Sequence, residues 1–411
     1  MPWFVLLLTG SALLACSDPG LASGTLTITC LNVGQGDATL IESPSGMTLL
    51  FDGGDNGKGN GIVLPYLQSQ GITSLDYMVA SHYHADHIGG LDEVYNGIPI
   101  NEAVLDRGWS YGSSTITYNS YASTVASQRQ TLTHGQVIDL GEGVTVTCIA
   151  LNGNGEVPSP FTNSSYENEY DVCLLIQYGG FDFFAAGDLT GGGLSYGDIE
   201  TGVAPLAGDL DIYRVNHHGS DSSSNAGFMQ TVQAEVSIIS VGATNSYGHP
   251  TQNVLDRLVY YGSFVYQTES GTGGTLPPED LTVVGDHIVI TTNGITEYTV
   301  DGDVWAIDED SGTPVVEIRP RAFSLAGNHP NPFNPTTEIM FYSEQGGSGL
   351  LRIFDVSGKS ILDRGFQAES GSNKLSWRGT DNRGRIVPGG VYLYSVSTPD
   401  GKGQGRMLLL K

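Results

Sequence analysis

Four residues able to bind a metal fall within six positions in Ser81-His82-Tyr83-His84-Ala85-Asp86-His87-Ile88-Gly89-Gly90. Imidazole nitrogens with a carboxylate oxygen suit zinc, manganese or iron rather than calcium or magnesium alone. The apolar run Leu75-Asp76-Tyr77-Met78-Val79-Ala80 before them reads as a buried strand. A strand ending in His-x-His-x-Asp-His would present its ligands from a rigid strand-to-loop edge. A run of surface histidines would carry the same letters, but further ligand types follow downstream in order.

The motif resembles the metal-binding signature of the metallo-β-lactamase fold. The resemblance extends over roughly residues 25 to 300. It rests also on Leu31-Asn32-Val33-Gly34-Gln35-Gly36-Asp37-Ala38, Leu49-Leu50-Phe51-Asp52-Gly53-Gly54, His217-His218-Gly219-Ser220 and Tyr247-Gly248-His249-Pro250. These look like the branch typified by the hydrolase domain of the ComEC/Rec2 DNA-uptake proteins. The set is specific for fold and branch and much less so for substrate.

The resemblance implies two divalent ions, Zn with Mn or Fe as alternatives. His82 and His84 match ligands of the first ion, Asp86 and His87 those of the second, and Asp188 the carboxylate bridging both. Such a pair, about 4 Å apart, activates a water that attacks phosphorus or a carbonyl. One of His217 and His218 would close the second site while the other faces substrate; the sequence leaves their order open. His249 matches a position near the pocket, where it would contact a substrate oxyanion or give a proton to the leaving group. A structural histidine between Gly248 and Pro250 is the plainer reading. Asp86 and His218 double as candidate catalytic residues. Asp52 would organise the metal loop. Asp37, after a flexible Gly-Gln-Gly loop, is a substrate-side candidate, with turn formation as the alternative for both aspartates. Many family members give the first metal a third histidine between the motif and the bridging aspartate. The only histidine in that interval is His134, in what reads as a turn, and the branch also lacks the ligand. His134 is therefore left out, and the first metal would be under-coordinated, filled by water, or helped by Asn168.

These residues need strands that end together. Strands are expected at Thr25 to Val33, Ala38 to Ser43, Met47 to Asp52, Gly143 to Leu151, Val172 to Tyr178, Phe181 to Ala186, Leu210 to Asn216 and Val236 to Val241. Helices are expected at Asn60 to Gln70, Ser120 to Gln130 and Thr251 to Tyr261. A closing pair of strands follows from His287 to Val300 around Asn293-Gly294. The family architecture is a four-layer αββα sandwich, placing the chain in the α/β class with each chemical residue at a strand end.

The chain has 411 residues and a net charge of −27. Residues 1 to 321 hold seven Lys and Arg against 37 Asp and Glu, a net −30. The remaining 90 hold ten against seven, a net +3, which marks two domains. Seven scattered bases argue against an electrostatic groove for duplex nucleic acid. The expected substrate is a small or single-stranded phosphodiester held by one group, without tight duplex binding. Hydrolysis of a carbonyl substrate such as a lactone or β-lactam, or a non-catalytic surface binding module, are the alternatives.

Residues 1 to 24 read as a signal peptide and tether. Leu13-Leu14-Ala15-Cys16 resembles a lipobox, with an ordinary cleaved signal as the alternative. The protein is thus expected outside the cytoplasm, secreted or surface-anchored. Cys148 and Cys173 sit in neighbouring strand-like runs and would be either one disulfide or plain buried thiols. The hydrolase domain is placed at 25 to 303 and an acidic linker at 304 to 321. Residues 322 to 411 carry only strand and turn signals. Asn328-His329-Pro330-Asn331-Pro332-Phe333-Asn334-Pro335, Ile353-Phe354-Asp355-Val356-Ser357-Gly358 and Gly389-Gly390-Val391-Tyr392 resemble the C-terminal sorting domains of type IX secretion cargo and the related FlgD-like β-sandwich. That likeness implies a small all-β immunoglobulin-like domain and contact with secretion machinery, with a generic spacer as the alternative.

Overall fold

The computed structural model describes residues 24–410 apart from 109–114, 153–165, 194–195, 308–322, 330, 332 and 344. The leader with Cys16 and most of the acidic linker lie outside the described residues. Two sheets stack face to face. One has nine strands, running from the edge strand Asp303–Ala306 through Leu26–Cys30, Thr48–Phe51, Leu75–Val79 and Ile100–Asp106 to Arg129–Thr131. The other has eight, with Phe181–Ala185, Ile212–Arg214, Val236–Ile239 and Phe264–Gln267 running parallel near one side.

Central strands such as Thr48–Phe51 and Val236–Ile239 are buried at every position. They read as near-continuous apolar runs because helices cover the outer face of each sheet. Leu26, Ile28, Ile176, Phe181, Phe183 and Ile288 belong to the core between the sheets. Leu67, Leu91 and Tyr121 pack the helices onto the outer face of the first sheet, and Phe228, Leu255 and Leu258 do so on the second. This is the expected αββα sandwich.

Local departures have clear causes. The stretch expected as one helix from Asn60 is a π-turn over Gly59–Val63 followed by an α-helix over Leu64–Ser69. The helix expected at Ser120 to Gln130 lies earlier, at Ile116–Thr124, because the Thr115 hydroxyl caps it by accepting from the Tyr118 N–H. Arg129–Thr131 instead pairs in parallel with Val104, Leu105 and Asp106. The final strand Asp303–Ala306 crosses the boundary expected at 303 and reaches into the expected linker. It pairs with Glu297–Val300, and Trp305 packs on Phe264. Cys148 and Cys173 are free buried thiols; the ladder sets them opposite Leu174 and Ala150 rather than each other.

The C-terminal region is all β, with sheets of three and four strands around a core that includes Ile339, Phe341, Ile353, Trp377 and Val396. It meets the first domain where Tyr260 and Tyr261 pack on Met340 and Ala226. The Tyr261 hydroxyl lies 3.6 Å from the Met340 sulfur. Among the described residues no helix is long and apolar enough to cross a membrane.

Candidate metal centre

The parallel strands end on one side of the sandwich, and the candidate residues follow those ends. Asp52 follows Phe51, His82 follows Val79, Asp188 follows Ala185, and His217 and His218 follow Arg214. Crevices beyond the carboxyl ends of parallel strands are where open α/β sheets bind ligands. Two close approaches make the arrangement possible. A Cβ at Gly187 would lie 2.3 Å from the Ser81 hydroxyl, so Asp188 can come this near His82 only after glycine. At Gly36, with φ +132°, a Cβ would meet the Asp86 carbonyl.

The structure brings the ligand-type side chains into two groups that share Asp188. In the first, His82 Nε2 is 3.0 Å from His84 Nδ1 and 3.7 Å from Asp188 Oδ2. His217 Nε2 is 3.5 Å from the same oxygen. The Asn168 amide lies 3.2 Å from Asp188 Oδ2 and 3.3 Å from His217 Nε2. In the second, Asp188 Oδ1 is 3.2 Å from His87 Nε2 and 3.5 Å from His218 Nε2. Asp86 Oδ2 stands 3.4 Å from His218 Nε2. The double histidine therefore splits, His217 toward the first group and His218 toward the second. His217 and His218 both adopt the left-handed region, φ 53° and 52°. Such strain in non-glycine residues clusters at functional sites. The turn is held by Glu200, whose carboxylate accepts from the Asn216 amide at 2.8 Å and from the Ser224 and Asn225 N–H groups.

Ring tautomers are fixed from behind. His87 Nδ1 faces Asp52 at 2.9 Å, and His218 Nδ1 faces the Ser240 carbonyl at 2.9 Å. His82 Nδ1 has the Ser81 hydroxyl at 3.0 Å and Asp171 at 3.5 Å. With Nδ1 protonated against these partners, Nε2 is the ring atom turned to the centre and the one that can bind an ion once any proton on it is displaced. His87 Nε2, His218 Nε2 and Asp188 Oδ1 are buried without any hydrogen-bond partner. Buried polar atoms are almost always paired. Three unpaired donors converging from two imidazoles and a carboxylate are what a bound transition-metal ion would satisfy, so the residues fit the implied group.

Charge is arranged in the same pattern. Burial pushes His84 down to about 4, helped by His82, and lowers His82 and His217 also, so the first group is made of neutral imidazoles. In the second group burial is outweighed. Asp188 and Asp86 hold His87 well above the ordinary value, and Asp37 and Asp188 raise His218 to about 9. Burial works against ionisation of Asp188, but His217, His87 and His218 together hold its carboxyl well below the usual range.

Asp37 is not on the substrate side. Its buried carboxylate belongs to the second donor group, 3.7 Å from His87 Nδ1 and 3.9 Å from His218 Nδ1, and Arg214 Nη2 grips it at 2.9 Å. Arg214 also donates to Thr39 at 2.9 Å and to the Ala186 carbonyl, tying the two sheets together beneath the site. His249 lines the mouth of the centre, its ring 5.7 Å from His217 and 6.4 Å from His218. His134 is exposed in a turn and belongs to neither group. Sequence reasoning missed Asp171, Glu200 and the positioning role of Arg214. None sits in a motif, and a lone carboxylate or arginine carries no signal of what it will face.

Residues 31–156 match the family model of the metallo-beta-lactamase superfamily. Recombination protein 2 of Haemophilus influenzae is 27% identical over 252 residues, covering 60% of this chain and 28% of that protein. Competence protein ComA of Neisseria gonorrhoeae is 27% identical over 271 residues, covering 65% of this chain and 34% of that protein. The chain thus spans about a third of the length of these curated relatives. Among solved structures, Zn(2+)-bound PqqB from Methylobacterium extorquens is 15% identical, covers 59% of this chain and 87% of that one, and superposes with a TM-score of 0.37. The four-layer architecture is the metallo-β-lactamase fold, in agreement with the family match over residues 31–156.

Proposed function

We propose that this domain is a metal-dependent hydrolase of small or single-stranded phosphodiesters, acting outside the cytoplasm. The observation that carries it is the pair of donor groups sharing Asp188, with three buried unpaired donor atoms converging beside an open cavity. His82, His84 and His217 would hold one divalent ion and Asp86, His87 and His218 the other, with Asp188 between. When bound, the ions supply an activated water and absorb the charge that develops on the substrate. The rest is done by the chain itself. Asp52 and the Ser240 carbonyl keep His87 and His218 in the ligating tautomer. His249, pushed down to about 4 by burial and then by His217 and His218, is neutral at pH 7. A neutral imidazole can donate an N–H to a developing oxyanion but carries no extra proton for a leaving group. This favours the first of the two roles expected for it.

The relatives named for recombination and competence support a phosphodiester over a carbonyl substrate. The charge of the domain supports a short or single strand over a duplex. Its resemblance to sorting domains supports residues 322 to 411 as the link to secretion machinery or to the cell surface. Protein loaded with Zn2+ or Mn2+ should hydrolyse a bis-aryl phosphodiester and leave a lactone intact. Turnover of the lactone alone would transfer the same centre to carbonyl chemistry, and turnover of neither would leave a binding module.

A further inference from the structure

The cavity over the metal centre, about 360 Å3, has aromatic and imidazole rings along its mouth and no Lys or Arg among its described lining residues. The rings touch in sequence. Tyr166 lies 4.9 Å from Tyr196 and tilted to it, Tyr196 meets His217 edge-on at 6.0 Å, His217 meets His249 edge-on at 5.7 Å, and His249 lies 5.6 Å from Tyr247, so the outer rings turn separate faces to the cavity rather than forming one stack. Tyr247 is stacked on His249 at 25° and is 68% exposed. It belongs to none of the hydrophobic cores.

A single exposed tyrosine would need no explanation. This one ends a row of rings, and its loop is built to hold it. Asn245 Oδ1 accepts from the Tyr247 N–H at 3.2 Å and the His249 N–H at 3.1 Å, while Asn245 Nδ2 donates to the His249 carbonyl at 2.9 Å. The Thr272 hydroxyl donates to the Asn245 carbonyl at 2.8 Å. The loop backbone is therefore preset, and the Tyr247 ring rests on His249 before any ligand arrives.

We infer that this row of rings is a stacking platform for the bases of a single-stranded nucleic acid, with Tyr247 and Tyr196 as its main faces. The inference rests on the phosphodiester reading above and names its substrate class. A chain of phosphates entering this cavity meets no Lys or Arg among the described lining residues, so the affinity that most nucleic-acid sites draw from those side chains must come from elsewhere. Base-on-ring stacking supplies it without sequence preference, because every base has a π face. A duplex keeps its base faces covered by their neighbours and offers nothing to the platform. The same rings set one phosphate over Asp188 while flanking bases are held to either side.

The test is fluorescence anisotropy of the full-length, metal-loaded protein with labelled, cleavage-resistant phosphorothioate strands. One is an oligothymidylate, one an abasic strand of equal length and charge, and one a duplex. The oligothymidylate should bind about tenfold or more tighter than either of the others. Tyr247→Ala and Tyr196→Ala should each weaken it roughly five- to a hundredfold and leave the abasic strand unaffected. Tyr247→Phe, which keeps the ring, should bind as the wild type does. Equal affinity for the base-bearing and abasic strands overturns the platform. So does no binding of any strand, unchanged binding by both alanine variants, or duplex binding as tight as the single strand. The reaction is read separately with the bis-aryl substrate. Tyr247-dependent binding without phosphodiester turnover would sink the hydrolase reading alone, and turnover without base discrimination would sink the platform alone.

Discussion

His217 and His218 are neighbours in the chain yet face different halves of the centre. The sequence left their order open because the answer lies in backbone angles, two consecutive left-handed residues, rather than in residue type. The clustered motif at His82 to His87 was legible because its ligands are consecutive and begin at a strand end. Asp37 was misplaced because nothing in its own neighbourhood announces Arg214, far along the chain, as its partner. Residues that fix the tautomers should matter nearly as much as the ligands. Asp52→Ala should weaken zinc affinity about 10- to 100-fold by competition with a chelating dye. His134→Ala should leave metal content unchanged. The histidine shifts give a pH signature. His87 and His218 are raised in the metal-free fold, His218 to about 9, so their protons stabilise that fold fully below the ordinary value of 6.5. That contribution is lost as pH rises through about 9. The melting temperature of the metal-free protein should therefore fall across this window, and metal loading at pH 7 should release protons measurable by calorimetry in two buffers. A flat melting profile with no proton release would contradict the assignment.

At the scale of elements, the strands that carry the site were read well because their burial on both faces makes apolar runs. The helix at Ile116–Thr124 was displaced because its cap is a single threonine hydroxyl and the following residues were claimed by a neighbouring strand. Long-range pairing of that kind has no local signature. The strand Ile212–Arg214 does more than end at the histidines. Its last residue spans the two sheets, holding Asp37, Thr39 and the Ala186 carbonyl at once. Arg214→Met would strand the buried Asp37 carboxylate. Loss of one partner of a buried pair costs about 3–5 kcal/mol. Urea denaturation should show a drop of that order, and pairing Arg214→Met with Asp37→Leu should recover much of it. Full stability in the single variant would mean that Arg214 is not the clamp beneath the site.

For the whole molecule, the charge break near residue 321 and the change to pure strand signals fall where the separate C-terminal sheets begin. The end of the first domain was harder to see, because Val304 and Ala306 lie in an acidic stretch yet complete a sheet edge. Residues 25 to 307 produced alone should fold and take up metal, with Tyr260 and Tyr261 newly exposed where Met340 packed. Insolubility with no metal uptake, where the full chain stays soluble, would show that the C-terminal sandwich is part of the folding unit.

The proposed centre has Asp188 shared by two metal sites. Metal content by plasma mass spectrometry, after stripping and reloading with zinc, tests it most directly when wild type and Asp188→Ala are compared and both are shown folded by circular dichroism. The account predicts two ions per wild-type chain and loss of at least one of them in the variant. Two ions retained by Asp188→Ala, or none taken up by the folded wild type, would contradict it.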